Sequence, residues 1–369
     1  MREGEGDIMQ NAFQHMNQIP VPTWRWLHVN DTAIETEPAL VPYTQHVMQT
    51  IPAGVTHGPI DKTVPFVMGE ERIDSPIAAF MSEKRNHGYA IEIPDDMVLD
   101  QPITLVYELD EQNPTLLDEI WIVAGKKSKA SVVIQYEAKG SKPIFHCGIL
   151  RVVAKKEADI QIITSQMFTD QDIHIDYTAV RADDRANISL VIADLGAKQT
   201  VGNANVELMG DGSRAAIDSL FLGAGTRQMD YHYRVALHGK EAQAEIQGHG
   251  VLLDQCKKLF RGTLDFLKGA SGSKGSESES VILLSKAINN ISVPLLLCAE
   301  DDVVGAHAAS AGKIDEKKLF YLMTRGLSEQ EAKKLIAEAE FAPVLEKIPN
   351  DDLRDRIDAR VKRSLEHVE

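Results

Sequence analysis

From Ile120 to about Gly275, apolar and polar residues alternate with period two in short runs, and the runs themselves recur. The copies read IWIVAGKKSKASVVIQY, LRVVAKKEADIQIITS, YTAVRADDRANISLVIA, VELMGDGSRAAIDSLFL and YRVALHGKEAQAEIQGH. Each joins an alternating strand, a polar turn, a small residue and a second alternating strand. The alanines after the turns fall at Ala130, Ala158, Ala186, Ala215 and Ala242, separated by 28, 28, 29 and 27 residues. A near-fixed period of this size marks a solenoid, in which one repeat buries its apolar face only when neighbours stack on it. Within each copy the period of two, as in Ile160/Ile162 and Ile188/Leu190, places one face of a strand in the core and excludes helical repeats. The fold class is therefore mainly β, and the handedness of parallel crossovers makes a right-handed parallel β-helix (β-solenoid) the expected form. The recurring alanines are read as corner residues that let coils stack. Lys129, Glu157, Arg185, Arg214 and Glu241 just before them are read as a solvated column of mixed sign. The repeat is expected to fade at Lys268–Ser280, KGASGSKGSESES, a Gly/Ser-rich run read as a surface loop. Val281–Ser285 and Pro294–Cys298 supply the last strands before a run ending at Ala306–Ala309.

The flanks follow other patterns. Residues 1–87 form an N-terminal α/β cap region, with a helix expected within Met68–His87 from the spacing of Ile77, Phe80 and Met81. PVPTWRWLHVN, residues 20–30, puts Trp24 and Trp26 on one face of an expected strand, where they would anchor the terminus. Residues 88–309 form the β-helix core. Residues 310–369 form a C-terminal helical domain, entered through a flexible corner at Ser310–Gly312. Asp315 is the N-cap of a first helix, Gly326 its C′ residue, and Ser328/Glu331 a capping box for the second. Leu353, Ile357, Val361 and Leu365 mark the buried stripe of a final helix. The aromatic run of the first helix is expected to cap the open end of the solenoid.

Composition narrows the function classes. A formal net charge of −16 speaks against a nucleic-acid partner, which needs a basic face. No apolar run reaches the ~20 residues that cross a bilayer, and the polar start of the chain lacks the apolar core of a signal peptide, so a cytoplasmic protein is expected. Cys147, Cys256 and Cys298 are odd in number and widely spaced, which argues against a disulfide framework or a four-cysteine cluster. No P-loop, dinucleotide fingerprint, nucleophile elbow or zinc-protease motif is present. His146–Cys147 and His249 with Cys256 lack a second pair to complete a metal site. His174, His232 and His238 are read as imidazoles on strand surfaces.

One stretch carries a resemblance. In VVGAHAASAGKIDEKKLFYLMTRG, residues 303–326, a histidine in a small-residue strand is followed by K-I-D and then L-F-Y-L-M-T-R-G-L-S. This order is similar to the C-terminal junction of the SufB/SufD family, the β-helical partners of the SufC ATPase in iron–sulfur cluster assembly. W-R-W-L near the start and I-P-x-x-x-x-L-x-x-P-I from Ile93 to Ile103 also resemble family elements, except that Asp96 stands where the family usually has glycine. The resemblance implies a non-enzymatic scaffold that pairs through its β-helix with SufB or with itself. It further implies SufC docking through Leu319, Phe320, Tyr321, Leu322, Met323, Arg325, Gly326 and Leu327. His307 would be the residue of the subunit interface implicated in cluster assembly and the one metal-ligand candidate; no stably bound cofactor is expected, only a transient cluster between subunits. Ala308 replaces the glutamate of the SufB H-E-A motif, and Glu277–Ser280 occupy the neighbourhood of the SufB assembly cysteine, so the resemblance leans to SufD. A homodimeric ATPase adaptor without a cluster role is a second reading. A β-helix carbohydrate-active enzyme is a third, which lacks the expected in-register acidic or basic cluster.

Overall fold

The computed structural model describes residues 12–23, 25–60 and 76–366. Two mostly parallel sheets face each other, and from His87–Ile93 to Ser273–Leu283 the chain passes from one to the other at every strand. The first sheet contains, in order of pairing, Met48–Thr50, Ile103–Leu109, Lys129–Ala138, Asp159–Met167, Asn187–Asp194, Arg214–Gly223, Gln243–Leu252, Ser273–Leu283 and Val303–Gly312. The second runs from Thr56–Pro59 through His87–Ile93, Thr115–Ala124, Phe145–Ala154, Ile173–Ala182, Gln199–Leu208, Gln228–Leu237 and Lys257–Phe266 to the short edge strands Asn289–Ser292 and Leu295–Cys298. The result is a β-solenoid of about eight turns. Inward-facing residues such as Ile134, Ile162, Leu190, Ile217 and Ile246 are fully or almost fully buried in one continuous core, each contributing about 1.5–3 kcal/mol of apolar burial.

The corners differ in register from the sequence reading. Lys129 pairs with Asp159, Asn187 with Arg214 and Arg214 with Gln243, so the small-residue column is Ser128, Ala158, Ala186, Ser213 and Ala242. Ala130 and Ala215 lie two residues further along, inside their strands, and Lys129 and Arg214 move with them. The residues just before the true column, Lys127, Glu157, Arg185, Gly212, Glu241 and Gly272, all have left-handed backbone with φ between 54° and 75°. In that conformation each N–H reaches a carbonyl of the following coil, for example Lys127 N–H to Lys156 O at 3.0 Å and Glu157 N–H to Asp184 O at 2.9 Å. Asp96, at φ 60°, continues the column backward; it takes the left-handed conformation that glycine adopts most readily. The coils do not fade at the Gly/Ser-rich run. Ser273–Leu283 is a full strand in which Ser273, Gly275, Glu277 and Glu279 face inward, and only the corner before it is loop. Likewise Ser310–Gly312 continue the last strand and form no corner.

Both outer faces are covered, which accounts for strands that bury nearly every side chain. On the second sheet lie the N-terminal segment and helix α1 (Pro76–Lys84), whose Phe13, Met16, Ile77, Phe80 and Met81 pack on Phe145, Cys147, Ile149 and Ile175. Asn17 and the Val29 carbonyl clasp a buried pair below them: Arg261 meets Asp230 at 2.6 and 3.0 Å and the Val29 carbonyl at 2.6 Å. Trp26 is not the expected anchor. It lies in a short 3-10 turn, Arg25–Leu27, and is 74% exposed, while Trp24 and residues 68–75 of the expected helix lie outside the described residues.

On the first sheet lies the tail. Helices α2 (Glu316–Thr324), α3 (Glu329–Leu345) and α4 (Asp351–Ser364) begin at Asp315, Ser328 and Asn350, each accepting a backbone N–H, and Ser328–Glu331 form the capping box. Phe341, Val344, Leu353, Ile357 and Val361 pack on the outward-facing Val133, Ile163, Val191, Leu220 and Val251. The tail thus covers the flank of the solenoid and does not cap its end as expected, because those outward positions offer a ready apolar strip for the stripes of α3 and α4. The first coils are closed by antiparallel pairing of Met48–Thr50 with Ile103–Leu109 and of Thr56–Pro59 with His87–Ile93. At the other end, among the described residues, nothing pairs with the outer edge of Val303–Gly312.

Candidate functional site

The open end is built by the last coil. Val303–Gly312 pairs in parallel with Ser273–Leu283, setting Gly305 beside Gly275 and His307 beside Glu277. Parallel register keeps partners on the same face, so His307 shares the inward face of Glu277 and Glu279. The opposite wall comes from the edge strands. A Cβ on Gly305 would meet Leu296 at 2.7 Å, which fixes Leu296 as inward-facing and Cys298 with it. His307 is exposed, as is nearly the whole last strand, because no further coil covers it.

Beneath this mouth lies a sealed group of charges. Lys258, Glu277 and Glu279 are 2%, 4% and 4% exposed. Lys258 crosses from the second sheet to ion-pair with Glu279 on the first, and its Nζ lies 3.3 Å from Ser292 Oγ, which donates to Glu279. Burial lowers the Lys258 ammonium against the pull of Glu279. Glu277 has no such partner: its Oε2 is buried without a hydrogen bond, and so is Oδ1 of Asn290 nearby. Burial, and then the neighbouring Glu279, push the Glu277 carboxyl up to about 7. Among the described residues no three His, Cys, Asp or Glu side chains converge as a metal-binding set.

A second buried polar group lies mid-solenoid. His146 Nε2 meets Asp118 Oδ1 at 2.8 Å, and His146 Nδ1 meets His174 Nδ1 at 2.8 Å. Tyr136 donates to Asp118 at 3.1 Å, and Asp194 lies 3.8 Å from His174 Nε2. Burial drives His174 well below the usual imidazole range and pushes Asp194 up to about 7. The sequence reading put His174 and His232 on strand surfaces, yet both are buried. The period holds for the two imidazoles: His146 and His174 are register partners in successive coils, 28 residues apart, whereas Asp118 lies two positions beyond Leu116, the residue paired with His146. His238 stays half-buried, paired with Glu207 at 2.6 Å. Neither suspected His/Cys pair forms. Cys147 faces away from His146 into the N-terminal cluster, and His249 reaches out to Glu340 at 3.0 Å while Cys256 is in the core.

Just beyond the mouth, α2 buries none of its residues. Phe320, Tyr321 and Met323 are 69%, 55% and 41% exposed, and Leu319, Leu322 and Leu327 are half-buried. Arg325 lies over the Tyr321 ring at 5.2 Å, and Gly326 takes the left-handed C′ position at φ 100°. Tyr321, Leu322 and Ile336, with the stems of Lys317 and Lys318, line a shallow apolar groove of about 380 Å³.

Comparison with known proteins agrees with this geometry. The family profile for the SUF system FeS cluster assembly SufBD core domain matches residues 107–340. The chain belongs to the SufBD family. It is 26% identical over 296 residues to the iron–sulfur cluster assembly protein SufD of Bacillus subtilis, covering 76% of this chain and 64% of that protein. It is also similar to SufBD family proteins of Staphylococcus saprophyticus and Staphylococcus aureus, 23% identical over 282 residues, or 75% of this chain and 60% of theirs. The chain therefore spans about three fifths of the length of the curated relatives it matches. The matched core runs from the first coils through the mouth and into α3. No helix among the described residues is long and apolar enough to cross a membrane.

Proposed function

We propose that this SufBD chain is a non-catalytic, cytoplasmic scaffold subunit of SUF iron–sulfur cluster assembly. In this reading it pairs through the open end with a SufB-type chain or a second copy, and it carries a SufC-type ATPase on α2 and the start of α3. The observation that carries the proposal is the asymmetry of the solenoid: its first coil is closed by antiparallel strands, whereas among the described residues its last coil leaves an unpaired strand edge holding His307. An uncovered edge strand is a template for another chain. The aromatic face of α2 supports the ATPase contact, since a helix with no buried residue and three large exposed side chains matches helix-in-groove recognition. The absence of cysteine between Glu277 and Ser280 supports a SufD-like over a SufB-like role. The imidazole of His307 would contribute a ligand to iron, and thiolates of a partner would complete the site.

The test is a reconstituted assembly reaction with the ATPase and a SufB-type chain. His307→Ala is expected to lower cluster output about tenfold or more while leaving the melting temperature and ATPase binding unchanged. Unchanged output would leave only an adaptor without a cluster role.

A further inference from the structure

We infer that Glu277 is a second ligand, beside His307, for the divalent iron handled at the open end of the solenoid. The inference rests on the scaffold reading above and adds a residue to its site.

Three observations converge on Glu277. Its register partner in the last coil is His307, on the same inward face. Neighbouring strands lie about 4.8 Å apart, and two ligand atoms bound at ~2.1 Å to one ion lie about 3 Å from each other, so both side chains can reach a common ion. Next, Glu277 is 4% exposed with Oε2 unpartnered. The buried cation beside it, Lys258, is already matched by Glu279 and Ser292. Glu277 is therefore a surplus carboxylate in the core, which costs stability unless something binds it. Finally, space has been made for it: a Cβ on Gly262 in the facing sheet would lie 2.5 Å from Glu277 Cγ. Glycine in a strand interior weakens the strand, so this clearance again favours the carboxylate over stability. Carboxylate and imidazole together suit ferrous iron. Among the described residues no third His, Cys, Asp or Glu converges with these two, so the remaining positions belong to the partner and to water.

The test uses the full chain in complex with its SUF partners, with Co²⁺ as the spectroscopic probe of the ferrous site and cluster output as the second readout. Glu277→Gln keeps the shape and removes the charge. It is expected to weaken Co²⁺ binding and cluster output about tenfold with the melting temperature unchanged or raised, and Glu277→His is expected to recover part of the binding. A merely structural carboxylate predicts a lowered melting temperature instead, and that result overturns the inference. If Glu277→Gln matches the parent in Co²⁺ binding while His307→Ala loses it, the inference fails and the scaffold reading stands. If neither variant changes binding or output, both fall.

Discussion

Asp194 is a carboxyl group sealed inside a solenoid, and its burial gives the fold a pH dependence of definite sign. Burial pushes it up to about 7, and Asp176 beside it shifts the same way. An unfolded aspartate titrates near 4. Between about pH 4 and pH 7 the native state thus holds more protons than the unfolded one, so this group's contribution to stability declines as pH rises through that window. His174, lowered by burial, acts oppositely and removes stability below about pH 6.5. Asp194→Asn is expected to match the parent near pH 4 and to exceed it by up to about 4 kcal/mol at pH 8, measured by urea unfolding across pH. A parent and variant with parallel pH curves would show that Asp194 ionises freely. Arg261 gives a prediction of the other kind. It is fully buried and joins Asp230 to the Val29 carbonyl, so Arg261→Ala strands a buried carboxylate and should cost about 3–5 kcal/mol. Little of this was legible residue by residue. A lone histidine in a strand has no marked face, and His174 is buried because the coils set it against His146 and Asp194.

At the scale of elements, strands and capped helices were legible because each has a local signal: period two for the coils, Asp315 and Ser328 for the first two helix starts. The corner register was not, because the column holds Ser128 and Ser213 where other coils have alanine, and in both coils an alanine, Ala130 or Ala215, follows two residues later. The Gly/Ser-rich run misled for a related reason. Its alternation of small and acidic residues carries no apolar signal, yet tertiary pairing on both sides makes it a strand. The corrected corners carry their own prediction. Non-glycine residues in left-handed backbone cost about 1 kcal/mol or more relative to glycine, and the column already holds Gly212 and Gly272. Lys127→Gly is expected to stabilise the protein by up to about 1 kcal/mol; a loss of stability would mean that the Lys127 side chain contributes more than its backbone costs. For the tail, Phe341→Ala removes a fully buried ring between α3 and the sheet. It should cost about 3–5 kcal/mol and expose the tail to limited proteolysis before the coils.

At the scale of the whole molecule, the covering elements among the described residues leave one end free. The N-terminal segment takes the outer face of one sheet, the tail takes the other, and antiparallel strands close the first coil. What remains is Val303–Gly312, whose inward and outward positions are mostly Gly, Ala and Ser. Small side chains on both faces let another backbone approach closely, whereas edges protected against association carry lysine, proline or bulges. Strand addition here would extend the first sheet from one subunit into the next and bring a partner's groups to within reach of His307. A single charge should then be enough to oppose it. Ala308 is exposed, so Ala308→Lys leaves the core untouched and should not change the melting temperature. It is expected to weaken pairing, with a SufB-type chain or with a second copy, about tenfold, since burying an unpaired ammonium costs at least 1–2 kcal/mol. The proposed ATPase contact on α2 should persist, because that surface lies beyond the edge on a separate helix. Sedimentation of the chain alone and mixed with its partners reads all three states. An assembly mass unchanged by Ala308→Lys would place the subunit interface elsewhere and leave the open end as a binding mouth facing solvent.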